Sequence, residues 1–504
     1  MNENERIAKN TIFLYFRMLF TLMVSLYTSR VILKVLGVED FGIYNVVGGI
    51  VGIFSFISSS LAASTQRFIT FELGNNNYSE INRVFNTSLI IHVIIAFFIF
   101  ILSETIGLWF LYNKMNIPLD RVNSAFWVFQ FSIASMIIML LSIPYNALII
   151  AHEKMSAFAY ISIVDISLRL VVVYLLIACE GDKLIIYAMF LFVVQIFIRS
   201  IYGYYCSHNF EESKLNIVID LKLIKKMLAF VTWALWGNLS VAGYTHGLNI
   251  LLNIFFNPIV NAARGIAVQV QSAISLLVTN FQMAINPQIT KNYAASNFQR
   301  LYALIFFSSK YSFYLAMIIV IPLYFETSYL LHVWLPEVPE YSVSFVKLLS
   351  LILLIDTLAN PISAAISATG IIKYYQIVVG GVQLLILPIS FVFLKCGFSP
   401  IIVYVVHLSI AVIVQSCRLI FAKQLIKLPI YEYLYKVIFR ILSVFILTFI
   451  ITKFFHNKIT GNIIALLVIV FVSILSIVIS VYIIGMDVDE RNKLKDLIKK
   501  RRSK

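Results

Sequence analysis

Uninterrupted apolar runs of about 20 residues recur along this chain from residue 11 to residue 485, and a helix of that length spans a hydrocarbon core about 30 Å thick. In lipid, only helices or a closed barrel satisfy every backbone N–H and C=O. A barrel would show alternating segments of about ten residues, whereas stretches such as 463–484 are continuous apolar runs broken only by three serines. The fold class is therefore an all-α membrane protein. Hydrophobic residues make up 61% of the 504 positions and charged residues 12%, against about 25% charged in a soluble domain.

About 14 spans are expected, at 11–35, 41–64, 84–112, 124–150, 157–179, 184–206, 227–256, 260–285, 301–325, 343–368, 374–394, 399–422, 437–452 and 463–484. Internal duplication shows as the pattern P-x-x-A-x-I-x-A. It runs from Pro144 to Ala151 at the end of the fourth span and from Pro361 to Ala368 at the end of the tenth. A nearly equal shift relates Arg67-Phe-Ile69-Thr70 to Pro287-Gln-Ile289-Thr290. The expected organisation is an N-terminal six-helix bundle (1–212), a second six-helix bundle (213–426), two further membrane helices (427–486) and a basic tail (487–504). Units with an even number of spans insert the same way up, related by an axis along the membrane normal, and leave a cleft where they meet.

The formal charge of +15 sits mainly in loops and tails beside apolar spans, which points to membrane topology and anionic lipid rather than nucleic acid. With the amino terminus cytoplasmic, about 25 of the 39 basic residues fall inside. Both termini are then cytoplasmic, and an uncleaved first helix is expected. Cys179, Cys206, Cys396 and Cys417 lack paired spacing, and the histidines are scattered, so neither a disulfide frame nor a metal site is expected. No phosphate loop is present, no cofactor is called for, and no external loop is long enough for a catalytic domain. Asp487-Val-Asp489 spells a D-x-D, but it opens the basic tail helix, where acidic residues favour the helix dipole. The chain reads as a transporter rather than an enzyme.

Ionisable residues within spans cost about 2.5–3.5 kcal/mol on insertion scales and mark candidate sites. Asn10, Arg17, Thr21, Ser25 and Thr28 share one face of the first span; Asn238, Thr245, Asn249 and Asn253 share one in the seventh, and Arg264, Gln271, Ser275 and Gln282 one in the eighth. The plainer reading of the neutral members is hydrogen bonding between helices, worth about 0.6 kcal/mol apiece. Asp165 and Arg169 in the fifth span stand at the i, i+4 spacing, as do Gln195 and Arg199 in the sixth. Asp356, Asn360 and Ser363 form a polar face in the tenth, with Lys310 expected nearby. Arg17, Arg169, Arg199, Arg264 and Lys310 outnumber Asp165 and Asp356, so a net positive cavity and an anionic passenger are expected, with the two aspartates as candidate ion-coupling groups. Guanidinium groups grip phosphate through paired hydrogen bonds.

The stretch Leu36-Gly37-Val38-Glu39-Asp40-Phe41-Gly42-Ile43-Tyr44 resembles the polysaccharide flippases of the multidrug, oligosaccharidyl-lipid and polysaccharide exporter superfamily. The repeated P-x-x-A-x-I-x-A, the short loops and the two extra helices are similar as well. The resemblance implies a protein of the bacterial cytoplasmic membrane, of O-antigen type, that moves undecaprenyl-diphosphate-linked sugar units to the outer leaflet, together with polysaccharide assembly proteins. It also implies cavity roles for Arg17 and Arg264. A drug or organic-cation antiporter of the same superfamily would instead centre on Asp165 and Asp356, and a membrane polysaccharide polymerase would need a sizeable catalytic loop.

Overall fold

The computed structural model describes residues 3–492 except 53, 114, 116, 217–218, 257, 336, 459–462 and 489. Its long helices, in chain order, are α1 (Glu3–Gly52), α2 (Ser55–Gly74), α3 (Tyr78–Asn113), α4 (Leu119–Ala151), α5 (Met155–Ala178), α6 (Lys183–Asn209), α7 (Leu221–Phe255) and α8 (Pro258–Ala294). They continue with α9 (Phe298–Trp334), α10 (Ser342–Ala368), α11 (Lys373–Lys395), α12 (Ile402–Ile426), α13 (Ile430–His456) and α14 (Ile463–Gly485). Among the described residues, 12 helical stretches are long and apolar enough to cross a membrane. With α2, which follows the second half of α1, and α7, the expected set of about 14 is present. The protein is a multi-pass, all-α membrane protein.

Breaks in the helices follow the residues that force them. Gly37 (φ 79°, ψ 172°) interrupts α1 between the first two spans; a side chain there would strain the backbone, and glycine avoids that cost. In α10 the helical run stops at Asp356 and resumes at Ala359, just ahead of Pro361, which has no N–H for the carbonyl of Thr357 four residues earlier. That orphaned carbonyl accepts a hydrogen bond from Gln282 Nε2 of α8 at 2.9 Å.

Two compact units make up the chain. The first comprises Met1–Asn238 and Thr290–Ser296. Here α1 packs on α5, and α4 packs on α2 and α6. Val47 of α1, Leu111 of α3, Val128 and Phe129 of α4, and Leu184 of α6 form part of its core. The second comprises Leu239–Ile289 and Asn297–Lys504. Its core joins Ile274 of α8, Met317 of α9, Leu353 of α10, Val444 of α13 and Ile477 of α14. The two added helices pack on each other and on α9, with Thr452 and Ser473 hydroxyls 3.3 Å apart between them.

The sequence repeat is also a repeat of turns. Pro144 and Pro361 differ by 217 positions, and the same shift carries Glu153 (φ 59°), two residues past α4, onto Gly370 (φ 77°), two residues past α10. A shift of 220 carries Asn76 (φ 55°) onto Ser296 (φ 56°). It also carries the N-cap Asn77, whose side chain accepts from Glu80 N–H, onto the N-cap Asn297, which accepts from Arg300 N–H.

In the first unit, polar clusters fasten the helix ends. Opposite the amino terminus, Arg121 pairs with Asp40 and, at 3.1 Å, with Asp182. Burial raises the Asp182 pKa, but the Ser124 hydroxyl, two backbone N–H groups and Arg121 outweigh it and hold the carboxyl below its usual value. At the other end His152 meets Glu212 at 2.5 Å and stacks on Phe210. There too burial is outweighed, here by the His152 hydrogen bond, and the Glu212 pKa is lowered. Asn82 donates to the carbonyls of Glu212 and Lys214, which ties α3 to the same loop.

Candidate functional site

The helices of the first unit bring four of the expected residues to one polar wall. Arg17, half-buried on α1, holds its guanidinium 4.6 Å from the Phe158 ring of α5. Tyr202 of α6 lies within electrostatic reach of both Arg17 and Asp165. Arg169 Nε donates to Asp165 Oδ1 at 3.0 Å, the intrahelical pair that their spacing predicts. One turn before Tyr202, Arg199 lies over the Tyr145 ring at 3.8 Å. The ring contact of Arg199 attracts its guanidinium without neutralising it. A cavity of about 270 Å³ opens beside the wall, and Arg169, Gln195, Tyr44, Ser132 and Ser135 are among its lining residues.

A second cluster belongs to the second unit. Arg264 of α8, 4% exposed, donates to the side chain of Asn249, to the Thr245 carbonyl at 2.8 Å and to the Tyr404 hydroxyl at 3.2 Å. All three partners are neutral, so they position the fork and leave its charge in place. Tyr244 of α7 lies within electrostatic reach of Asp356, Arg418 and Arg264, and its ring meets that of His407 at 5.2 Å. Asp356 is exposed at the break in α10, and the Arg418 guanidinium acts on its carboxylate. Arg264 and Asp356 thus share one polar neighbourhood.

Lys310 requires a correction. It does not join Asp356: buried at 2% exposure on α9, it pairs with Glu490 at 2.7 Å and Asp487 at 3.5 Å beyond α14. Asp487 also pairs with Arg440 of α13. Lys310 therefore fastens the start of the tail, because two acidic residues distant in sequence neutralise it there. The backbone N–H of Asp487 donates to the Glu490 carboxylate at 2.8 Å, a helix-start arrangement; Asp489 lies outside the described residues.

Several neutral stripe members serve as bonds between helices. Asn238 donates to the Ser60 hydroxyl of α2 at 2.7 Å, and Asn10 to the Glu153 carbonyl at 3.1 Å. Gln282, 3% exposed, accepts from Asn360 at 2.7 Å and donates to Ser312 and to the carbonyl that Pro361 leaves free. Gln282→Leu is expected to strand those groups and lower stability by about 1–3 kcal/mol, read as a fall in the thermal unfolding midpoint in detergent.

Sequence reasoning missed Tyr244, Tyr404 and Arg418. Tyr404, His407, Ala411, Gln415 and Arg418 form a 3–4-residue stripe along α12, a signal masked by the basic residues that follow it.

A family model described as polysaccharide biosynthesis protein matches residues 7–293, more than half of the chain. The protein belongs to the polysaccharide biosynthesis protein family. No curated protein matches this family member. Its fold is similar to that of an outward-facing multidrug resistance MATE family transporter of the MOP superfamily, with a TM-score of 0.73 and 12% identity over 85% of this chain and 96% of that one. It is likewise similar to MATE in the straight conformation, with a TM-score of 0.74 and 13% identity over 85% and 97% of the two chains. A MOP superfamily transporter from Pyrococcus furiosus, whose binding pocket is described as reversed in polarity, matches with a TM-score of 0.71 and 13% identity over 85% and 96%. Identities this low establish the fold alone, and that fold is the one implied by the resemblance of residues 36–44.

Proposed function

We propose that this polysaccharide biosynthesis family member is a flippase for undecaprenyl-diphosphate-linked oligosaccharide units. It exposes them alternately to the two sides of the bacterial cytoplasmic membrane, with the amino-terminal end of the bundle in the cytoplasm. The observation that carries the reading is the charge of the first unit's wall. Among the described residues, Arg169 and Arg199 stand there with the carboxylate of Asp165, and Arg17 lies within reach of the same Tyr202. Arg264, hydrogen-bonded to three neutral partners, adds a further positive charge in the second unit. Fixed positive charge in a low-dielectric surrounding favours an anionic group over a cationic drug. Guanidinium forks match the geometry of phosphate oxygens. Membership of the family supports a polysaccharide precursor as the passenger, handed on by assembly proteins, while the lipid tail remains in the bilayer.

One observation favours the rival organic-cation antiporter: the exposed carboxylate of Asp356. Deleting the gene separates the two. Loss of surface polysaccharide, with lipid-linked oligosaccharide accumulating in the inner leaflet and drug susceptibility unchanged, is the expected result. Intact polysaccharide with heightened drug susceptibility would replace the flippase reading with the antiporter.

A further inference from the structure

The α12 face carries unspent hydrogen-bonding capacity beside a carboxylate. Arg418 stands as many residues after Ile402, the first residue of α12, as Arg199 stands after Lys183, the first of α6. Each has a glutamine about one turn before it, Gln415 and Gln195. The repeat therefore gives the second unit a counterpart of the first unit's arginine, in different company. Arg199 lies over the Tyr145 ring, whereas Arg418 is 8% exposed, acts on the Asp356 carboxylate, and donates weakly to Gln415 Oε1 at 3.5 Å. Arg418 Nε, Gln415 Nε2 and His407 Nδ1 have no hydrogen-bond partner among the described residues. Buried polar groups are nearly always paired, so three unpartnered atoms on one helix face point to a ligand or water that completes them.

The chemistry of that partner follows from the mixture of groups. A diphosphate only accepts hydrogen bonds and is repelled by Asp356. A sugar hydroxyl both donates and accepts, and here it finds the Arg418 and Gln415 donors, the Asp356 acceptor and the paired Tyr244 and His407 rings within one neighbourhood. We propose that the Arg418, Gln415 and Asp356 cluster of the second unit is a saccharide subsite, which binds hydroxyls of the passenger's sugar rather than its diphosphate. This rests on the flippase reading.

The test is binding to the full-length protein in nanodiscs with two probes. One is bare undecaprenyl diphosphate; the other is the lipid-linked oligosaccharide extracted from a strain lacking the gene. The wild-type protein should bind the sugar-bearing probe about tenfold more tightly, the value of one or two hydrogen bonds. Arg418→Gln and Asp356→Asn should each shrink that preference toward unity and leave bare-carrier affinity within about twofold, while Arg199→Gln should weaken both probes alike. Asp356, being exposed, decides the matter if Arg418→Gln does not fold. Equal weakening of both probes by Arg418→Gln and Asp356→Asn, no effect of either, or the absence of any wild-type preference would overturn the subsite. Failure of the wild-type protein to bind either probe would count against the flippase reading itself.

Discussion

Arg17→Ala and Arg264→Ala, each inserted normally, are expected to reduce surface polysaccharide at least about 100-fold, because each removes a fork of two charge-assisted hydrogen bonds to the passenger. Such bonds contribute about 1.5–3 kcal/mol apiece, and each 1.4 kcal/mol is a factor of ten. The two variants should differ in their second effect. Arg17 meets the Phe158 ring of α5, and losing that contact should cost about 1 kcal/mol. Arg264 joins α7 and α12 through Asn249, the Thr245 carbonyl and Tyr404, so its loss should lower the unfolding midpoint as well. Arg→Lys at either position keeps the charge and loses the planar fork, and should recover part of the export. Undiminished export in both alanine variants, with expression matched by immunoblot, would remove these residues from the site.

How far the sequence could anticipate the protein depends on which interactions are local. Hydropathy finds the lipid-facing slab, and it placed the spans; it does not find where a helix stops. The ninth span, expected at 301–325, runs as α9 from Phe298 to Trp334, because backbone hydrogen bonding continues into polar flanks once Asn297 has capped the start. The second span, expected at 41–64, is divided between the end of α1 and α2. The Asp165–Arg169 pair was legible because its spacing alone brings the partners together. Lys310 was not, since its neutralising carboxylates are about 180 positions away. Arg418 was hidden for a different reason. Its stripe with Tyr404, His407 and Gln415 ends close to Lys423 and Lys427, where positive charge marks topology. The eight-residue match from Pro144 and Pro361 proved to mark a repeated turn, since the left-handed positions at Glu153 and Gly370 obey the same shift.

That turn carries the largest expected loss of stability. The Glu153 side chain is fully buried, with Arg6 of α1 at 2.8 Å from one carboxylate oxygen and Lys291 at the end of α8 at 2.7 Å from the other. Its backbone is left-handed, a conformation costing a residue with a Cβ roughly 1–2 kcal/mol. The position keeps a glutamate, while its repeat equivalent, Gly370, is the residue the backbone favours. The Glu153 pairs with Arg6 and Lys291 are expected to contribute more than the backbone costs. Breaking a buried pair by removing one partner typically costs about 3–5 kcal/mol. Glu153→Gln should lower stability by an amount of that order, read as a fall in the thermal unfolding midpoint in detergent, and Glu153→Gly by about 1 kcal/mol less because it relieves the backbone. Glu153→Gln combined with Lys291→Met should recover part of the loss, since one of the cations that paired with the Glu153 carboxylate is then gone. Were Glu153→Gly as stable as the wild-type protein, the ion cluster would contribute nothing beyond the strain it accompanies.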